Sequence, residues 1–351
     1  MSDLDQELQD FADEATARHR PLKVDEGVGE QSLPVLYDLL DQHFLSLDKA
    51  GMLLLPNFHA FENETVVVLS DYAGDAGGDY LVYSFLLCSW NLSGQFSDWL
   101  AKARGRFPIG SREINFKNLS RTGQREILPE MLQKADLGLV GYVLTVAVEK
   151  QIASLFDNWD GNPKKRLAQL LKDHDVTDLK PNVAEKFLRV NHILAYLLKQ
   201  LARPPAQKVW WITDNDDICA KPTLIEATMQ FQNRLIGLHQ SPIDRLAFST
   251  QRGFEKGPIE GLLSIPDLAA GAVCEALNLL GQDSFDVPPW KDGAGWLTDW
   301  LNHQGAALKK STCLISKAGT GEVKVSTLTF SPKPKPDWPG GTRMFDIVRH
   351  R

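Results

Sequence analysis

The stretch TVVVLSDYAGDAGGDYLVYSFLLCSW, residues 65–90, decides the fold. Its first part, TVVVLSD at 65–71, is β-branched and continuously apolar, the pattern of a central strand buried on both faces, and it ends in Asp71. Gly74, Gly77 and Gly78 supply a turn, and DYLVYSFLLCSW at 79–90 reads as a second strand pairing back across it. The sheet therefore opens with an antiparallel hairpin.

Outward from the hairpin, a third strand is expected over 138–148. A fourth is expected over KVWWITD at 208–214, which again closes an apolar run with an aspartate, and a short fifth over RLAFSTQ at 245–251. Helical spacing appears at 31–50, where Leu36, Leu39, Leu40 and Phe44 recur every three to four residues. It appears again at 111–135, ending or breaking near Pro129, with Glu113 and Lys117 on one face at i, i+4. An amphipathic helix is expected over 183–202, stopped by Pro204 and Pro205, and another over 223–238. A last helical region covers 259–280, with Pro266 in its first turn and Asp267 near its start. Strands alternating with helices make the chain α/β.

The 351 residues, 43% hydrophobic and 24% charged, describe an ordinary globular chain, long enough for one large domain or two modest ones. A net charge of −7 argues against coating nucleic acid or acidic membrane through bulk positive charge. That charge is uneven. Residues 1–50 hold 12 acids and 4 bases, whereas 303–351 hold 9 bases and 3 acids. Between Trp99 and Arg125 a basic stretch carries Lys102, Arg104, Arg106, Arg112, Lys117, Arg121 and Arg125, a strip able to meet phosphate, with Lys117, Arg112 and Arg121 as the substrate contacts. The piece SPKPKPDWPGG at 331–341 reads as an extended tail. The longest apolar run, 138–148, falls short of the roughly 18 to 20 residues of a spanning helix, so no membrane segment is expected. The acidic amino terminus lacks the pattern of a signal peptide, and a cytoplasmic location is the expectation. Cys88, Cys219, Cys274 and Cys313 form no C-x-x-C pair and read as buried thiols, and neither His174 nor His192 carries a metal signal.

Four acids recur at the ends of elements: Asp71, Glu113, Asp214 and Asp267. In an α/β sheet the ends of neighbouring strands lie side by side, so acids distant in sequence can converge at one edge. Converged carboxylates repel unless protonated or neutralised by a cation. Mg²⁺ or Mn²⁺, hard ions that take oxygen ligands, suit such a set and suit attack on a phosphodiester. Asp71, Asp75, Glu113, Asp214 and Asp267 are the expected metal ligands, with Asp216 or Asp217 as replacements for Asp214.

Three motifs resemble the bacterial domain-of-unknown-function family 3800. VVVLSDYAGD resembles its D-x-S-G-D strand, with Asp71, Gly74 and Asp75 matching and Ala73 in place of serine. REINFK, at 112–117, looks like its E-(I/L)-K segment. GLLSIPDLAAGAV, at 261–273, is similar to its G-L-Q-L-A-D-L-(I/V)-A-G-A-V, with Ser264 for glutamine and Pro266 for alanine. The resemblance covers roughly 60–280. It implies an RNase H-like five-stranded mixed sheet whose first three strands are antiparallel, flanked by helices, at 61–282. An acidic helical extension at 1–60 and a basic mixed extension at 283–351 would frame it, either able to take a protein partner. It also implies a metal-dependent nuclease acting on DNA or RNA with Asp71, Glu113, Asp214 and Asp267 as catalytic acids, in a family often found beside mobile elements or phage defence.

Two other readings compete. An actin-like ATPase would share the strand, aspartate and glycine turn, but needs a second phosphate loop, and KAGTGE at 317–322 lies too near the end. A catalytically silent scaffold or interaction subunit would keep the fold without the chemistry, with Trp290, Trp296 and Trp300 as a late aromatic cluster.

Overall fold

The computed structural model describes residues 3–16, 34–109, 112–156, 162–252, 258–280, 293–319, 321–333 and 344–350. The chain opens with helices α1 (Asp3–Ala15) and α2 (Val35–Lys49), then strands β1 (Thr65–Ala73) and β2 (Tyr80–Ser89). Helices α3 (Trp90–Arg104) and α4 (Thr122–Gly138) lead to β3 (Gly141–Glu149), and α5 (Pro163–Asp173) and α6 (Ala184–Leu201) to β4 (Gln207–Thr213). Then come α7 (Pro222–Leu238), β5 (Ile243–Thr250), α8 (Pro258–Leu280) and α9 (Ala294–Asn302), and finally β6 (Leu308–Lys317), β7 (Val323–Lys333) and β8 (Met344–His350).

Among the described residues these strands form one eight-stranded mixed sheet in the order β5-β4-β1-β2-β3-β6-β7-β8. β1, β2 and β3 are successively antiparallel, β1, β4 and β5 are parallel, and β6 runs parallel to β3 before β7 and β8 turn back. The sheet is thus larger than the expected five strands. Residues beyond 283, read as a basic extension, supply β6, β7 and β8 directly to the edge left by β3.

Helices cover both faces of the sheet, and β1 shows why its sequence is continuously apolar. Side chains alternate across a strand. Val66 and Val68 enter the core shared with α2, α6 and α7, while Val67 and Leu69 enter the core shared with α3, α4 and α8. The same alternation carries Asp71 to the α8 face. Gly74, at φ +99°, makes the turn out of β1, where any Cβ would overlap the Tyr80 carbonyl. Leu36, Leu40 and Phe44 place α2 in the first core, so the amino-terminal segment shares that core with the sheet.

Three expectations are corrected. The 183–202 helix is not amphipathic in place: α6 is buried all round from Phe187 to Leu201, with Arg189 held by Glu185 at 2.9 Å. The expected helix at 111–135 begins only at Thr122, because the Asn115 carboxamide accepts the Asn118 N–H at 3.1 Å and turns the chain into a short 3₁₀ segment, Phe116–Asn118. Glu113 and Lys117 therefore share no helical face, and Pro129 lies inside α4 rather than ending it. Pro266 likewise sits inside α8, which places Asp267 in mid-helix, over the sheet. The window Ile259–Leu279 of α8 is long and apolar enough to cross a membrane by length and composition, and 67% of it is buried here.

Candidate functional site

The parallel strands β1, β4 and β5 end together. Asp71 lies near the end of β1, Asp214 directly follows β4, and Gln251 directly follows β5. Backbone bonds hold this edge in register: the Asp214 N–H donates to the Ser70 carbonyl at 3.2 Å, and the Gln251 N–H to the Thr213 carbonyl at 2.9 Å. Over the β1 member of this edge runs α8, on which Leu263, Ser264 and Asp267 fall at the three-to-four spacing of one helical face. Together with Glu113, Ile114, Asn115 and Lys117 these residues line an open cleft of about 110 Å³.

The arm that carries Glu113 is seated by one glycine. Gly271, one turn beyond Asp267 on α8, leaves the space that the Phe116 ring fills, and a Cβ there would overlap the ring. Phe116 so placed donates its backbone N–H to Asp267 Oδ2 at 2.5 Å. Glu113 is held from two sides, by Gln251 Nε2 at 2.6 Å and Asn115 Nδ2 at 3.4 Å, while its own carbonyl accepts Gln124 Nε2 at 2.6 Å. Asp71 Oδ1 accepts the Tyr72 N–H and Asp214 Oδ1 the Asn215 N–H, each at 2.6 Å.

These acids sense one another. Burial pushes the Asp71 carboxyl well above the ordinary range, and the charge of Asp267, a hydrogen bond with Asp267 and the charge of Asp214 raise it further. Asp267 is also raised, chiefly by burial, although its bonds to Asp71 and to the Phe116 N–H pull the other way. Burial raises Asp214 too, with Glu113 and Asp216 adding repulsion and Lys117 opposing it. The cleft is an acidic, partly desolvated site in which Asp71, Asp214 and Asp267 all bind protons more tightly than exposed carboxylates do.

Asp71, Glu113, Asp214, Asp267 and Lys117 are brought together. Asp75 is not: it pairs with Lys186 at 2.5 Å, and Asp216 meets the same ammonium at 2.6 Å. Asp217 is exposed, so of the three neighbouring aspartates it is Asp214 that faces the cleft. Arg112 and Arg121 are exposed and do not line it. Among the described residues no three His, Cys, Asp or Glu side chains form a group placed to hold a metal ion as they stand.

Gln251 and Asn115 were missed by sequence reasoning. The signal for Gln251 was its position directly after β5, matching Asp214 after β4. Of the late tryptophans, Trp300 donates to Asp136 at 2.8 Å, Trp296 is exposed and Trp290 lies outside the described residues. Cys88, Cys219 and Cys313 are buried free thiols, and Cys274 is half-buried. No family model matches the chain, and no curated protein matches it.

Proposed function

We infer that this chain hydrolyses phosphodiester bonds of DNA or RNA with a divalent cation, Mg²⁺ or Mn²⁺. The observation that carries this reading is the convergence of Asp71, Asp214 and Asp267, with Glu113, in one cleft where burial and neighbouring carboxylates raise the three aspartates. Such a set of hard oxygen donors, short of compensating positive charge, fits Mg²⁺ or Mn²⁺. Those four acids would hold the cation, drawn closer than they now stand. When bound, it supplies an activated water and offsets charge on the phosphate.

The chain's own residues do the rest. Lys117, exposed at the cleft, attracts the phosphate. Gln251 and Asn115 fix the Glu113 carboxylate, and the Phe116 and Asn215 N–H groups orient Asp267 and Asp214. Ile114 and Leu263, both buried, give the cleft an apolar wall.

An RNase H-like core is part of the proposal. Its support is the run of three successive antiparallel strands followed by two parallel ones, with acids at the strand ends, together with the resemblance of 261–273 to family 3800. A setting beside mobile elements or phage defence follows from that resemblance.

The test is cleavage of single- and double-stranded DNA and RNA by purified protein with Mg²⁺, Mn²⁺ or EDTA. Metal-dependent cleavage that disappears in folded Asp71→Ala and Asp214→Ala supports the reading. Equal activity in both variants overturns it.

A further inference from the structure

The α8 face of the sheet carries an uncovered strip. α8 lies over β1 and β2 and reaches β3, while the neighbouring strands β4 and β5 keep side chains of this face open to solvent. Register and alternation identify them. Lys208 pairs with Arg245 and Trp210 with Ala247 across the two strands, while Ile212, opposite Ser249, is buried in the α8-side core. Arg245 and Ala247 are exposed, and Trp210 and Ser249 are half-buried. The Trp210 indole packs partly against the α8-side core, its Nε1 donating to Ser249 Oγ at 3.0 Å. The exposed Trp90, at the start of α3, meets it edge-on with ring centroids 5.5 Å apart.

The strip has a direction. Lys208 and Arg245 stand at its far end, and six residue steps, about 20 Å of strand, separate Lys208 from Asp214 at the cleft. At the near end Gln251, on the same side of β5 as Arg245, Ala247 and Ser249, bonds Glu113 at 2.6 Å. The strip therefore reaches the acidic cleft along β5, through the half-buried Ser249 and Gln251, beside the buried Ile212 of β4.

We propose that this strip is a track for single-stranded nucleic acid, leading it to the cleft. The proposal rests on the nuclease reading for its destination, and names the strand form of the substrate. Two indoles set edge to face at 71°, one exposed and one half-buried, offer ring surface on which unpaired bases stack, and the bases of a duplex have no free faces to offer it. Two cations at the far end, one of them Lys208 shared at 3.3 Å with the exposed Glu64, meet the backbone phosphates. The low overall charge of the chain is no obstacle, because the cations are local.

The test measures binding in EDTA, so that no cleavage is needed. Fluorescence anisotropy is read with labelled twelve-residue oligo-dT and oligo-U and with a duplex of equal length. Expected is binding of the single strands over the duplex, about tenfold weaker in Trp90→Ala and in Lys208→Glu/Arg245→Glu, whose salt dependence also flattens. Trp90 and Arg245 are exposed, and thermal melts confirm that the variants are folded. Unchanged single-strand affinity in both folded variants overturns the track. Preference for the duplex, or a strip that instead mediates self-association lost in Arg245→Glu with no oligonucleotide bound, also overturns it. Single-strand binding that depends on the strip in a protein that cleaves nothing keeps the track and removes the nuclease reading. Cleavage that ignores the strip variants does the reverse.

Discussion

Asp71 and Asp267 meet carboxyl to carboxyl where the end of β1 passes under the middle of α8, joined by a hydrogen bond that one of them must keep a proton to make. Burial raises both groups, and the charge of Asp214 beside them raises both again. The pair is the point at which the first strand of the sheet and its longest helix bring like charges together, and it responds to whatever neutralises them.

A carboxyl raised in the folded state binds its proton more tightly there than in the unfolded chain. Its stabilisation is complete below the unfolded value and is lost as pH rises through the raised one. With EDTA present, the melting temperature of Asp71→Asn should therefore climb relative to wild type as pH rises from 4 to 8, because the amide keeps a hydrogen bond without the charge. Mn²⁺ should restore the wild type at high pH, by roughly 2.7 kcal/mol at a hundredfold excess over Kd, and leave Asp71→Asn nearly unmoved. Calorimetry on the two proteins checks this. Parallel pH profiles for the two would count against the pair.

Gly271→Ala should disable the cleft from outside it. The added methyl overlaps the Phe116 ring, which must move, and with it the backbone N–H that orients Asp267 and the arm that carries Glu113. Overpacking of this kind costs about 1 to 3 kcal/mol. The expected result is a protein that melts several degrees lower and loses most cleavage. A fully active Gly271→Ala would show that the arm's position does not matter.

These relationships show what was readable beforehand. β1 and Asp71 were legible because a strand buried on both faces has to be apolar at every position, so the polar residue that ends the run stands out. Asp267 was found by the sequence around it, but misplaced to a helix start, because proline is commonest in a first turn and the packing of α8 on the sheet overrides that preference. Glu113 was assigned to a helix that Asn115 prevents. Strand β6 was hidden by its own residues: Lys309, Lys310, Ser311 and Thr312 read as a charged tail, yet all four are buried. Lys310 is matched by Asp136 and lies over the Trp300 ring, partners that come from α4 and α9 and that no local pattern announces.

Two buried histidines should set the acid limit of the fold. His43 bonds Thr327 at 2.9 Å and Ser311 at 3.2 Å, and burial lowers it to about 3. His192, beside Tyr37 and His239, is lowered to about 3, first by burial and then by the His239 charge. A group lowered on folding stays neutral while the unfolded chain takes up a proton, so stability falls as pH drops from 6.5 toward 3. Each contributes a slope of about 1.4 kcal/mol per pH unit at most. Urea titrations between pH 7 and 4 should show that slope halved in His43→Gln, which keeps hydrogen-bonding capacity without titrating. An unchanged slope would remove His43 from the account.

The aspartates around β1 and β4 divide into those that line the cleft and those that hold Lys186, and on the proposed function mutation should separate a reacting set from a frame. Lys186 bridges Asp75 and Asp216 while lying 5.2 Å over the Tyr72 ring. The Asp75 side chain is 59% exposed and that of Asp216 only 16%. An exposed ion pair is worth at most about 1 kcal/mol, so Asp75→Ala should cleave within about threefold of wild type and melt close to it. Asp216 also accepts the Ile218 N–H at 3.2 Å, which fixes the turn that follows Asp214. Asp216→Ala leaves a mostly buried ammonium with only the exposed Asp75 of this pair and frees that turn, and should lower both stability and turnover. Asp214→Asn removes a charge that burial already disfavours. It should abolish turnover with stability held or raised, a combination that neither of the other two variants can produce. Kinetics and melts on the three proteins give the ranking, and loss of activity in Asp75→Ala equal to that in Asp214→Asn would place Asp75 in the reacting set after all.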